Sequence, residues 1–506
     1  MRIKSKPKSQ KRAGVAMMKT LSELGLTAQG GRECTITGLS VDSRQTMEGH
    51  LFAALPGARA HGAEFVQIAL RMGARAILTD PEGARIAQDA IKDHDPALVV
   101  VEDPRQALAY AAALYYGRQP EVMVAVTGTN GKTSVATFTR QIWQILGMRA
   151  INIGTTGVEG DWQAPSPHTT PEPITLHRML SEAANAGVTH GAMEASSHGL
   201  AQRRLDGVGL TAAAFTNFTQ DHLDYHATFE AYFAAKAGLF TRILPEDGVA
   251  VVNIDDARGM EIEGLCAERG IDVMRVGRSD AADLRVMGQR FDPTGQDLRV
   301  DFVGNIYQIR LDLIGGFQAE NVLAAAGLVM ASGADPEEVF SCLPELTGVR
   351  GRMQHAATRG NGSAVFVDYA HTPDAVATAI QALRPHVMGR IIAIVGAGGD
   401  RDKTKRPLMG RAAQEHADLV IITDDNPRSE DPAAIRAEVM AGAPDAMEVA
   451  DRAEAILRGV DALQPGDALL ICGKGHESGQ VIGDDIFPFD DVEQASLAVS
   501  ALDGAL

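Results

Sequence analysis

Cysteine is scarce: the 506 residues hold four, Cys34, Cys266, Cys342 and Cys472, and no two form a C-x-x-C pair. That excludes a disulfide framework and a cysteine-built zinc site, and it points to a reducing, cytoplasmic setting. Long hydrophobic runs are missing too. No window approaches the roughly 18 consecutive apolar residues of a membrane-spanning helix. The basic N-terminal stretch runs into GVAMMKT without an apolar core or cleavage pattern, so it does not read as a secretory signal. The body of the chain is also short of positive charge. Lys and Arg number 47 against 65 Asp and Glu, a net charge of −18. Six of the basic groups (Arg2, Lys4, Lys6, Lys8, Lys11, Arg12) crowd into residues 1–18, which hold no acid. Beyond them 41 basic groups face 65 acidic ones, a net of −24. Such a body repels phosphate backbones at long range and argues against a nucleic-acid-coating protein. A polyanionic ligand therefore needs a local pocket and a metal ion. Residues 1–18 read as a disordered basic leader, with a start at Met17 or Met18 and a functional basic arm as alternatives.

What is present is ordinary globular composition, 45% apolar and 22% charged with 52 Gly and 22 Pro, which excludes disorder and collagen-like repeats. At about 150 residues per domain the length suggests three domains. A rhythm of short apolar strand, glycine turn and amphipathic helix recurs. Expected strands are 122–126, 150–153, 190–194, 212–217 and 249–253, then 364–368, 391–395, 419–423 and 468–472. A helix is expected from Ser134, with Val135, Phe138, Ile142 and Ile145 on one face. Apolar strands alternating with helices predict α/β domains with parallel sheets covered on both faces. The expected division is a small mixed α/β domain at 19–105, a central P-loop-type domain at 106–346 and a Rossmann-like domain at 347–506.

TGTNGKTS (127–134) stands where a nucleotide loop belongs, after a buried strand and before a helix. Its glycines let backbone N–H groups close around phosphate oxygens at a helix N-terminus. Lys132 is suited to the β- and γ-phosphates and the Thr133 hydroxyl to magnesium. The longer G-x-x-x-x-G-K-[ST] pattern is not met, because position 126 is Val. Glu194, at the end of a strand in MEASSHGL, offers a carboxylate for the metal, or a structural one. TNFTQDHLDYH adds Asp221, His222, Asp224 and His226. The i, i+4 histidines suggest zinc only weakly without H-E-x-x-H.

Together these segments resemble the Mur ligase family, the ATP-dependent amino-acid ligases of the peptidoglycan stem peptide. The resemblance runs from about Gly38 to Gly483. It rests on VDSR (41–44), TGTNGKTS, TTP (169–171), MEASSHGL (193–200), NFTQDHLDYH (217–226), VDYAHTPD (367–374), GAGGDRDKTKRPLMG (396–410), DDNPR (424–428) and GKGHE (473–477). Within the family, Asp425-Asn426-Pro427-Arg428 looks like the mark of members that add meso-2,6-diaminopimelate. A guanidinium such as Arg428 suits that molecule's second carboxylate.

Carried over residue by residue, the resemblance implies three sets of contacts. ATP would meet Gly128, Thr129, Asn130, Gly131, Lys132, Thr133 and Ser134, with Asn321, Arg352 and Asp368. The UDP-muramoyl dipeptide would meet Val41 and Ser43 at its uridine end and Thr169, Thr170, Ser196, Gln202 and Arg204 along its length. Diaminopimelate would meet Arg401, Asp425, Asn426, Pro427, Arg428, Gly473 and Glu477. The family also carbamylates one lysine, here Lys236. As a carbamate it would join Thr133, Glu194 and His222 around magnesium, and Lys132, Glu194, His222 and Lys236 would form the reaction centre.

The implied chemistry is phosphorylation of the D-glutamyl γ-carboxylate to an acyl phosphate, followed by attack of the diaminopimelate amine, in a cytoplasmic monomer whose domains close about hinges near 105 and 346. Gln318 stands where the family has Asn, a departure expected to shift geometry slightly. Position 401 is Arg, so 396–401 does not form a dinucleotide fingerprint. Competing readings are a nucleotide-driven switch, a non-catalytic binding module, a lysine-adding relative and a folylpolyglutamate-type synthetase.

Overall fold

The computed structural model describes residues 18–57, 60–166, 168–219 and 225–504. The leader, apart from Met18, and His222 lie outside them. The chain divides into two compact units. One runs up to Glu121 and takes in Thr170–Val188 and Ser197–Gly209; the other holds Val122–Thr169, Thr189–Ser196 and Leu210 onward.

The first unit is built on a four-stranded parallel sheet, β1 (Gly38–Ser40), β2 (His50–Ala53), β3 (Ala76–Thr79) and β4 (Ala97–Val100), in that spatial order. Helix Pro104–Tyr116 begins with proline at its first turn and an Asp103 cap, and ends at left-handed Gly117. It sends Leu108, Ala111, Ala112 and Tyr115 into a core with Leu51, Ala53 and Leu78.

The second unit carries two large sheets besides a two-stranded hairpin. The larger comprises β5 (Val122–Thr127), β6 (Ala150–Gly154), β7 (Gly157–Gly160), β8 (His190–Glu194), β9 (Ala212–Phe215), β10 (Val249–Asn253), β11 (Asp272–Gly277), β12 (Leu284–Asp292), β13 (Gly295–Phe302) and β14 (Asn305–Leu311). Its spatial order is β14-β13-β12-β11-β10-β9-β5-β8-β6-β7. The centre is parallel as expected, but β7 and the β12–β14 meander pair antiparallel. The chain leaves β5 for β6 on one side and leaves the neighbouring β9 for β10 on the other, so the carboxyl ends of β5 and β9 form a topological switch point, where α/β sheets bind ligands. Helix α1 (Lys132–Ile145) follows β5. Val135, Phe138 and Ile142 are fully buried and pack with Val322, Leu323 and Leu328 of α3 (Gln318–Ala331); Ile145 is half-buried. Between them in sequence lies α2 (Phe229–Gly238).

The other sheet orders β15 (Gln354–Thr358), β16 (Ala364–Asp368), β20 (Ala468–Cys472), β17 (Ile391–Val395), β18 (Leu419–Ile422) and β19 (Met447–Glu448). Only β15 is antiparallel. On β17, Ile391, Ala393 and Val395 enter one core while Ile392 and Ile394 enter another. Both faces are covered, which is why the strand reads as an unbroken apolar run. A hairpin, β21 (Gly479–Ile482) and β22 (Asp485–Pro488), follows β20. Among the described residues no helix is long and apolar enough to cross a membrane.

Candidate active site

The loop after β5 requires its glycines. Gly128 (φ 147°) and Gly131 (φ 87°) have backbone angles that side chains disfavour. A Cβ at Gly128 would lie 1.9 Å from Thr216 Oγ1, and one at Gly131 would lie 2.4 Å from Asn321 Oδ1. Asn321 is in turn fixed by donating to Gln318 Oε1 at 3.1 Å. The helix begins at Lys132 rather than Ser134, because left-handed Gly131 ends the loop two residues earlier than expected. No side chain caps it, so its first N–H groups stay available to an anion. The strand expected at 212–217 stops at Phe215, and the freed residues brace the loop instead. Thr216 Oγ1 donates to Asn130 O at 2.6 Å, and Asn130 N donates to Asn217 Oδ1 at 2.9 Å.

Two lysines converge here. Lys132 Nζ donates to the carbonyls of Gly128 (2.9 Å) and Thr129 (2.7 Å), and Lys236 Nζ donates to Gly128 O at 2.6 Å. Lys236 is 1% exposed and lies 4.6 Å from the Tyr232 ring centre. The sequence shows it only as a helix lysine. Thr133 and Ser134 are buried, and Arg352 Nη2 donates to Thr133 Oγ1 at 3.4 Å.

Glu194 ends β8 directly beside Val126 of β5 and is 2% exposed. Its Oε1 accepts from Thr155 N at 2.8 Å and its Oε2 from Thr155 Oγ1 at 3.3 Å. Thr169 Oγ1 lies 3.1 Å from that same hydroxyl, so Thr155, which the sequence reading overlooked, joins two expected residues. Ser196 follows two residues after Glu194 and is half-buried.

The remaining residues of this unit stand at the carboxyl ends of the second sheet. Asp368, last in β16, accepts from Met353 N at 2.7 Å; burial pushes its carboxyl up, and Arg352 opposes the shift. Arg352 stacks 4.7 Å from the Tyr369 ring centre. After β18 comes the 425–428 turn, with Asp425 and Asn426 buried. Arg428 is left-handed (φ 52°), pinned through its N–H to Val481 O (3.0 Å) and through its carbonyl to Gly483 N (2.7 Å). Its guanidinium donates to Gly399 O at 2.8 Å. A Cβ at Gly399 would lie 1.9 Å from Pro427 O, so the loop after β17 approaches this turn closely. Arg401 on that loop is exposed. After β20, a Cβ at Gly473 would lie 2.4 Å from Asp425 Oδ2, while Glu477 Oε2 accepts from Asn426 Nδ2 at 2.8 Å. Lys474, between these two, is fully buried and was not anticipated. Its only sequence signal is a lysine set between glycines after an apolar strand.

In the first unit, Arg204 ties three expected residues together. It donates to Thr170 O (2.7 Å) and to Gln202 Oε1 (2.8 Å). Val41 is 41% exposed and Ser43 is buried, both on the turn after β1 that Asp42 caps through Arg44 N.

The descriptions "Mur ligase family, catalytic domain", "Mur ligase middle domain" and "Mur ligase, glutamate ligase domain" match residues 35–116, 126–329 and 351–475. The chain is 48% identical to the UDP-N-acetylmuramoyl-L-alanyl-D-glutamate–2,6-diaminopimelate ligase of Brucella melitensis biotype 1 over 93% of its length and 95% of the relative's. It is 46% identical to the ligase of that name from Caulobacter vibrioides, over 96% and 100%. A solved structure of a ligase of the same name superposes with a TM-score of 0.71 at 33% identity, covering 96% of this chain and 99% of that one. The loop after β5, the motifs at the strand ends and these likenesses lead to one conclusion: the chain belongs to the Mur ligase family.

Proposed function

We propose that this chain is the ATP-dependent ligase that joins meso-diaminopimelate to the D-glutamyl γ-carboxylate of UDP-N-acetylmuramoyl-L-alanyl-D-glutamate, in the cytoplasm. The observation that carries the reading is the pairing, within one unit, of a glycine-built phosphate loop with the Asn426–Arg428–Glu477 cluster. Relatives bearing this enzyme's name share nearly half of its residues over almost the whole chain.

In this reading residues 19–105 serve the uridine end, 106–346 ATP and 347–506 the amino acid. A carboxylate is a poor acyl donor, so ATP converts it to an acyl phosphate. Residues 128–134 hold the phosphates, Lys132 neutralises them, and Arg352 and Asn321 border the nucleotide. Magnesium fits the donors present, since the buried Thr133 hydroxyl and the Glu194 carboxylate are hard oxygen ligands. When bound, it screens repulsion between the phosphates and the substrate carboxylate. Among the described residues no three His, Cys, Asp or Glu side chains cluster as a metal cage. Phosphate oxygens, water and a carbamate on Lys236 would then complete the coordination, with His222 as the further candidate. Gln202, Arg204 and Thr170 are assigned to the muramoyl dipeptide, and Arg428, Asn426 and Glu477 to the zwitterionic distal end of diaminopimelate.

The test is phosphate release from ATP with magnesium and the UDP-muramoyl dipeptide, comparing diaminopimelate with lysine. Release that needs both the dipeptide and diaminopimelate is expected. Equal turnover with lysine, or turnover without the dipeptide, would overturn the assignment. With ¹⁸O in the γ-carboxylate, label must appear in the released phosphate; its absence would rule out the acyl phosphate.

A further inference from the structure

Lys474 is a charge in an unlikely place. Its side chain is wholly buried, and removing an ammonium from water costs several kcal/mol unless its partners recover it. Burial draws its ammonium below the ordinary lysine value, while Asp425 and Glu477 act the other way. The Nζ donates to Asn426 Oδ1 at 2.9 Å and to Gly479 O at 2.7 Å. Glu477 Oε2 lies 3.6 Å away and Asp425 Oδ1 4.0 Å away. Behind it stands a second buried charge pair, Arg452 and Asp491, at 2.7 Å.

The geometry points to Lys474 as a positioning residue for the incoming amino acid, setting which end of the Asn426 amide faces Glu477. Asn426 Oδ1 accepts from two obligatory donors, Lys474 Nζ and Val481 N at 3.0 Å. The reversed amide would set its N–H₂ against both. The orientation is therefore fixed, and the amide nitrogen is directed at Glu477 Oε2. One amide hydrogen serves that bond, and among the described residues no acceptor is recorded for the other. Glu477, about one-third exposed, keeps its Oε1 for a ligand. A donor edge beside a carboxylate matches an end group bearing both a carboxylate and an ammonium. The distal end of diaminopimelate has both; that of lysine has only the ammonium. Lys474, sealed from solvent, acts through Asn426 and Glu477 rather than by touch. This inference rests on the assignment of the amino acid to the 425–428 turn.

The experiment is steady-state kinetics on the full chain. Lys474→Met should raise the diaminopimelate KM by at least about tenfold, the scale of one lost hydrogen bond to a charged group. The KM values for ATP and the UDP-dipeptide should stay within about twofold. Asn426→Asp keeps the Lys474 contact but turns the donor edge into an acceptor opposite Glu477. It should raise the same KM and add little in the Lys474→Met background, since the two act as one unit. Equal rises in all three KM values for Lys474→Met, or additive effects in the double variant, would reduce Lys474 to a folding role. If Lys474→Met does not fold, an unchanged diaminopimelate KM in Asn426→Asp overturns the inference. Arg428→Ala and Glu477→Gln test the underlying assignment separately. If they too leave that KM unchanged, the amino acid binds elsewhere; if they raise it while Lys474→Met does not, only the role of Lys474 fails.

Discussion

Lys236 Nζ donates to the carbonyl oxygen of Gly128 at 2.6 Å, the same oxygen that Lys132 Nζ reaches at 2.9 Å. A carbamate on Lys236 reverses that relationship, because an anion there repels the carbonyl and leaves Lys132 as its remaining lysine donor. Two substitutions separate the possibilities. Lys236→Arg keeps a cation for the Gly128 carbonyl but cannot be carbamylated, whereas Lys236→Ala removes both. If the carbamate holds magnesium, both variants lose most activity, by at least about a hundredfold on the scale of a lost metal ligand's support. Acetate or formate should then partly restore Lys236→Ala. Full activity in Lys236→Arg would show that the hydrogen bond matters and the carbamate does not.

The resemblance singles out Lys236, but its burial is not legible in the residues around it as β17 is, and the reason is locality. IIAIV is apolar at every position because both faces of its sheet are covered, so the strand announces itself. The burial of Lys236 depends on a carbonyl 108 residues away in sequence, and nothing in FEAYFAAKAG reports that contact. The β12–β14 meander was missed for a related reason. A bulge between Val286 and Gly288 breaks the apolar alternation, and exposed Met287 and Ile306 with buried Gln296 blur it further. The phosphate loop was legible because glycine spacing is itself the geometric requirement. The helix start was misjudged by two residues, since only the observed left-handed Gly131 marks it.

Gly131 offers a direct test of the nucleotide site. An alanine there adopts a left-handed backbone, costing about 1–2 kcal/mol, and also meets Asn321 Oδ1 at 2.4 Å. Gly147, at φ 85° with nothing within 4 Å, is the matched control that bears the strain without the contact. Gly131→Ala should raise the ATP KM at least about tenfold, while Gly147→Ala lowers stability and leaves that KM within about twofold. Matching ATP KM values for the two variants would remove the loop from nucleotide binding.

Acid stability should depend on Glu430. Arg406, Lys403 and the Asp400 N–H hold its carboxyl down to about 2, from an ordinary value of 4.5. A depressed folded value means that the ionised form favours the fold. The contribution is complete above 4.5 and drains away as pH falls through about 2. Glu430→Gln should therefore lower the urea midpoint near neutrality and flatten its decline across that window. Parallel profiles for variant and parent would show that Glu430 contributes nothing to the acid limb. Arg406 keeps Glu438 at 2.9 Å, so the variant is expected to fold.

Arg428 separates binding from folding because its backbone is strained. At φ 52° a side chain costs roughly 1 kcal/mol, and its bond to Gly399 O returns about as much. Arg428→Gly relieves the first and loses the second, so Tm should move by no more than a few degrees. Arg428→Ala keeps the strain and loses the bond, and should melt lower. Both should raise the diaminopimelate KM by at least about tenfold with little change for ATP if, as proposed, the guanidinium they remove forks onto a carboxylate of that substrate. If Arg428→Gly is as stable as the parent and its diaminopimelate KM is unchanged, the arginine does not read the second carboxylate, and selection against lysine must come from Asn426 and Glu477.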